Sequence, residues 1–182
     1  MTAAAAVGAT RENTAMSSST STRRSATRQR LYEAAVTLIA EQGFSATTVE
    51  EIAERAGVAK GTVYYNFASK TELFEGLLRH GVGLLTDSLR SAAADRPPLE
   101  GLDAMIRAGL EFIAAYPSFA QLFVAETWRT NRAWHDTLRL LRDEAVSVVA
   151  GVLDDAVRQG ELAADLDTRL TASALFGMVL VV

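Results

Sequence analysis

The stretch GVAKGTVYYNFASK, residues 57–70, holds both lysines of a 182-residue chain whose other sixteen cations are arginines. Lys60 and Lys70 stand ten residues apart and bracket two adjacent tyrosines. Read as a helix from about Lys60 to Asn66, the stretch turns Val63 and Phe67 inwards and leaves Tyr64, Tyr65 and Asn66 on its surface. A helix that packs only against protein has little use for that surface, whereas one pressed against a phosphate backbone does. Gly61 weakens such a helix by roughly 1 kcal/mol relative to alanine, and suits a place where backbone must come close to DNA.

The segments on either side extend the reading. Upstream, Leu31, Ala35, Leu38 and Ile39 repeat at helical spacing from about Thr27, and Gly43 supplies a stop. Thr47 and Thr48 are N-cap candidates for a second, short helix, with Glu50 and Glu51 in its first turn and Val49, Ile52, Ala53 and Ala56 as its buried stripe. Gly57 then provides a left-handed turn residue. Two short helices joined by a tight glycine turn, preceded by a packing helix, describe a helix-turn-helix unit whose later helix enters the major groove. Downstream, Ser69 with Glu72 predicts a capping box opening a long fourth helix that ends before Pro97 and Pro98.

From Leu99 onward the pattern stays helical. Helices are expected over about 99–115 and 118–127, then over about 28 residues capped by Asn131 and ending at Gly160, then from Asp167 or Thr168. No repeat and no sustained period-two alternation is present, so the expected class is all-α. The chain stops at Val182 inside an apolar helical run, so either that end is buried or a further segment follows.

Composition narrows the function. Hydrophobic residues make up 49%, with three prolines and no cysteine, which suits a soluble, mostly helical protein without disulfides or thiolate metal sites. The net charge of −4 is uneven: residues 1–80 carry a balance of +1 and residues 81–182 a balance of −5. Arg23, Arg24, Arg28 and Arg30 form a basic block that could track the minor groove or tether non-specifically to phosphate. Residues 1–25, rich in Ala, Ser and Thr, are expected to be disordered. No signal-peptide plan is present and the apolar tail is too short to span a membrane, so the expected location is the cytoplasm, with no membrane partner. His80 and His135 lack metal-site spacing, and neither a phosphate loop nor a nucleophile motif is present, so no enzyme, metal or cofactor is expected.

The run from Arg30 to Leu73, RLYEAAVTLIAEQGFSATTVEEIAERAGVAKGTVYYNFASKTEL, resembles the DNA-binding domain of TetR-family transcriptional regulators. The resemblance rests on "EQGF", "TTVEEIAERAGV", "KGTVYYNF" and "SKTEL". It implies a three-helix DNA-binding domain over 26–75, joined by the fourth helix to a helical ligand-binding and dimerisation domain over 76–182. It also implies site roles: Thr47 or Thr48 on a phosphate, Lys60, Gly61, Thr62 and Asn66 near base edges, Tyr64 and Tyr65 on phosphates or thymine methyls, and Lys70 on a phosphate. Tyr64 has the alternative of a place in the core.

For the second domain, the apolar candidates for a pocket are Met105, Phe112, Tyr116, Phe119, Phe123, Trp128, Trp134 and Met178, with Tyr116, Thr127 or His135 as polar groups. Ala172, Leu175, Phe176, Val179 and Leu180 are expected to be exposed unless a second subunit covers them. The function implied is a homodimeric repressor that leaves a palindromic double-stranded operator on binding a small apolar effector. The alternative is a helical protein-partner or lipid-binding module carrying a vestigial helix-turn-helix.

Overall fold

The computed structural model describes residues 24–127, 129 and 133–181. Eight helices and no strand are found among the described residues: α1 (24–42), α2 (Val49–Arg55), α3 (Lys60–Asn66), α4 (Lys70–Ala93), α5 (Pro98–Ala115), α6 (Pro117–Thr127), α7 (His135–Arg158) and α8 (Thr168–Val181). The all-α expectation holds. Arg23, Trp128 and the Asn131 cap lie outside the described residues, as does most of the 1–25 arm. Arg24 and Ser25 are already helical, so α1 starts before Thr27.

Local chemistry sets the ends of the short helices. Gly43 (φ +83°) and Gly57 (φ +64°) take the left-handed conformation that closes α1 and α2. Thr48 caps α2: its hydroxyl accepts from the Glu51 N–H at 3.2 Å, and the Glu51 carboxylate accepts from the Thr48 N–H at 2.7 Å. Ser69 caps α4 by accepting from the Glu72 N–H at 3.0 Å. Glu72 does not complete the expected box on Ser69; its carboxylate accepts from the Ala68 N–H at 2.7 Å, one residue earlier.

The long helix before Gly160 is shorter than expected, beginning at His135 with Trp134 in the N-cap position. Tyr116 and Pro117 break α5 from α6, and the two helices meet at 100°. No single helix among the described residues is long and apolar enough to cross a membrane.

One apolar core runs without a gap from α1–α3 into the rest of the molecule. Leu31, Ile52, Val63 and Phe67 join through Phe74 and Leu78 of α4 to Phe119, Phe123 and Leu138. Trp134 adds a further bridge, its ring 4.3 Å from Phe44 and 4.6 Å from Phe74. Its indole N–H donates to the buried Glu126 carboxylate at 3.0 Å. That bond anchors the start of α7 to the end of α6 and satisfies a donor that would otherwise be costly to bury. A second cluster, centred on Leu89, Met105, Val146 and Leu153, closes the far end of the α4–α5–α7–α8 bundle.

Candidate nucleic-acid interface and ligand cavity

Helix α3 presents a polar and aromatic face to solvent. Tyr65 is 74% exposed and Tyr64 50%, so the alternative that Tyr64 belongs to the core is closed. Lys60 and Gly61 are exposed beside them, and Thr62 is partly so. A Cβ placed at Gly61 would meet nothing within 4 Å, so another molecule's surface could approach the backbone there. The Lys60 ammonium pairs with Glu50 of α2 and lies 5.9 Å from the Tyr64 ring. Hydrogen bonding to Glu50 raises the Lys60 pKa and keeps the group a cation. Beneath this face Val63 and Phe67 are buried as anticipated, which fixes the helix's rotation.

Four residues assigned to DNA from sequence are engaged elsewhere. Asn66 is 6% exposed, and its side-chain amide donates back to the Thr62 carbonyl at 2.8 Å, so it cannot reach a base edge in this arrangement. Thr47 is 1% exposed, and its hydroxyl donates to the Gly43 carbonyl at 3.0 Å. Thr48 is exposed, but Glu51 occupies both its N–H and its hydroxyl.

Lys70 points inwards. Its ammonium donates to the carbonyls of Phe44 at 2.7 Å and Thr47 at 2.8 Å and lies 4.2 Å from the Phe44 ring centre. Burial lowers its pKa, against the opposing pull of Glu51. The lysine therefore ties α4 to the α1–α2 connection. Sequence spacing could not distinguish this from a phosphate contact, because both put a lysine in the first turn of α4.

Arg24 and Arg28, on one face of α1, reach the far end of α3. The Arg24 guanidinium lies 5.6 Å from the Tyr65 ring centre, and that of Arg28 lies 4.6 Å from Phe67. These arginines, a basic arm by their spacing alone, thus contact the helix that carries the exposed tyrosines.

Helices α4, α5, α6 and α8, with Val149 of α7, enclose a cavity of about 50 Å³. Four of the expected pocket residues, Met105, Phe112, Phe119 and Phe123, line it, together with Leu175, Phe176 and Val179. Every lining residue is apolar or glycine. Thr127 donates to the Phe123 carbonyl at 2.7 Å, and neither it nor His135 reaches the cavity. Trp134 sits in the bridging cluster instead. Tyr116 lies in a neighbouring slot, and Met178 is 59% exposed on the outer side of α8.

The two faces of α8 are thus reversed relative to expectation. Ala172 is fully buried, and Leu175, Phe176, Val179 and Leu180 are partly buried and line the cavity inside the protomer. The outward apolar residues are Leu170, Ala174 and Met178, one turn apart. An apolar run with small residues on both sides carries no marker of which side faces in.

Known proteins share this architecture. The family described as bacterial regulatory proteins, tetR family, matches residues 31–77, and the tetracyclin repressor-like C-terminal domain matches residues 95–182. The HTH-type transcriptional repressor BepR of Brucella suis biovar 1 is 30% identical, covering 84% of this chain and 77% of that protein. The fatty acid metabolism regulator protein of Bacillus subtilis is 25% identical over 82% of this chain and 77% of its own length. The crystal structure of the transcriptional regulator FadR from Bacillus subtilis in complex with stearoyl-CoA superposes with a TM-score of 0.76 at 25% identity, covering 83% of this chain and 82% of that one.

Proposed function

The chain belongs to the tetR family of bacterial regulatory proteins, and from that membership we propose that it is a dimeric repressor released from its operator by an acyl-chain effector. The exposed face of α3 carries the reading. Lys60, Gly61, Thr62, Tyr64 and Tyr65 are the residues proposed to meet DNA, Lys60 on phosphate and the others on base edges, thymine methyls or further phosphates. One helix-turn-helix covers few base pairs, so two copies bind half-sites about 34 Å apart. The outward residues of α8, Leu170, Ala174 and Met178, are the proposed subunit contact.

The all-apolar cavity supports a hydrocarbon effector, and the likeness to a protein crystallised with stearoyl-CoA points to an acyl chain. At about 50 Å³ the cavity is well below the roughly 300 Å³ of a small ligand site. Filling it must therefore move its walls. One wall is α4, whose first turn holds the helix-turn-helix through Lys70, so expansion shifts the spacing of the two reading helices. A coupling of about 1–3 kcal/mol suffices for release. The protein acts in the cytoplasm without catalysing a reaction, and residues 26–75 and 76–182 are its DNA-binding and effector-binding domains.

The test has two steps. Genomic fragments retained by the protein are selected, and their affinity is then measured with increasing acyl-CoA of several chain lengths. Specific retention followed by chain-length-dependent release is expected. Retention that no acyl compound alters would remove the effector assignment and leave the DNA-binding role standing.

A further inference from the structure

The apolar cavity contains no group that could recognise a polar headgroup, so the polar part of an amphipathic effector must be bound elsewhere. Two recesses lie in series beside the cavity, the first separated from it by the Phe119 ring. A narrow slot under Tyr116 and Leu84 shares Phe112 and Phe119 with the cavity. At its other end the slot shares Gln29, Tyr32 and His80 with an open crevice of about 410 Å³ between α1 and α4. Arg24, Ser25 and Arg28 complete that crevice. Lining residues are therefore continuous from the apolar interior to two arginines on the surface.

The crevice has the chemistry of an anion site. Arg28 lies beside the Tyr32 side chain, and its Nε is buried without a hydrogen-bond partner, as is Nε2 of His80. Neither Arg24 nor Arg28 is in an ion pair among the described residues. The nearby acids are committed elsewhere: Glu33 accepts from Gln29 at 2.9 Å, Glu72 from the Ala68 N–H, and Glu75 pairs with Arg79 at 2.9 Å. Guanidinium groups recognise phosphate through paired N–H donors, and burial beside apolar walls strengthens that contact.

We propose that this crevice binds the phosphate-bearing headgroup of the effector whose acyl chain fills the cavity, with Arg24 and Arg28 as its principal ligands. The proposal rests on the acyl-effector reading above and assigns it a second subsite. It also supplies a direct route to DNA. The same two guanidiniums lie against Tyr65 and Phe67 at the end of α3, so a phosphate in the crevice competes with the aromatic rings for them. Occupancy loosens the brace on α3 while the chain expands the cavity.

Binding to the DNA-free full chain is measured by calorimetry with dodecanoyl-CoA, dodecanoate and free coenzyme A, below micelle-forming concentrations. Wild type should prefer dodecanoyl-CoA to dodecanoate by tenfold or more. Arg28→Gln should reduce that preference to within about twofold while leaving dodecanoate affinity unchanged. Arg24→Gln, at the exposed lip of the crevice, should reduce it several-fold and serves as the deciding variant if Arg28→Gln melts early. A preference that survives in the folded variants, or a wild type that binds the acid and its thioester equally, overturns the crevice assignment while the acyl-effector reading stands. Binding of neither acyl compound by wild type overturns both.

Discussion

Phe119 lies across Gly81 so closely that a Cβ at residue 81 would have three ring atoms inside contact distance, the farthest of them at 2.7 Å. The contact joins α6 to α4 and forms the partition between the apolar cavity and the slot beside it. Gly81→Ala gains up to about 1 kcal/mol of helix propensity but must displace the ring, and overpacking of a core costs about 1–3 kcal/mol. The variant should lose on the order of 1 kcal/mol net, read as a lower urea midpoint at unchanged slope. It should also bind dodecanoate more weakly, because the displaced ring moves towards the cavity. A higher midpoint would show that the contact is looser than described.

The two lysines should part company on mutation. Lys70→Met keeps a stem of similar length but removes the ammonium that lies over the Phe44 ring and donates to the Phe44 and Thr47 carbonyls, at a cost of about 1–3 kcal/mol. Lys60→Met removes only a surface ion pair with Glu50 and should leave the unfolding midpoint nearly unchanged. Equal midpoints for the two variants would contradict the inward role of Lys70.

His80 predicts a pH dependence. Burial lowers its pKa from the ordinary 6.5, with Glu33 opposing, so the folded protein resists a proton that the unfolded chain accepts. Stability is therefore unaffected by His80 above pH 6.5 and falls as the pH drops through 6.5 towards the lower folded value. Between pH 7.5 and 5.5, wild type should lose more stability in urea titrations than His80→Gln. Parallel losses would show that His80 is as readily protonated folded as unfolded.

Trp134 holds the helix-turn-helix core to the rest of the bundle through Phe44, Phe74 and Glu126. Trp134→Ala should cost about 3–5 kcal/mol, the usual range for a large buried aromatic. Its loss weakens the link between the helix-turn-helix and the bundle, so the variant should also unfold over a broader transition by circular dichroism. A small cost with an unbroadened transition would show that Phe74 and Leu78 carry the link without it.

How far the sequence could be read depended on whether a residue's role was local. Thr48, Gly57, Val63 and Phe67 were legible because caps, left-handed turns and short-helix stripes are encoded within a few residues. Lys70 was not, because the carbonyls that engage it lie more than twenty residues away. Asn66 was misread although its partner, the Thr62 carbonyl, is one turn back, because its burial is set by how α3 docks on the core. The rotation of α8 was lost for a different reason. Its apolar and small residues surround the helix, so only packing against α5 and α7 decides that Phe176 faces in and Met178 faces out. Arg24 and Arg28 read as a charged arm because their contacts with Tyr65 and Phe67 exist only after α1 and α3 have docked.

The central claim is that α3 reads DNA through Lys60 and its neighbours, and a salt titration tests it most directly. Affinity for a selected genomic fragment is measured across salt concentrations for wild type, Lys60→Met and Lys70→Met. Wild type should bind specifically with a steep dependence on salt, and Lys60→Met should flatten the slope by about one unit per lost phosphate contact per subunit. Lys70→Met, held where it is still folded, should keep the wild-type slope. A folded dimer whose binding is weak and flat, or whose slope ignores Lys60 and follows Lys70, would contradict the account.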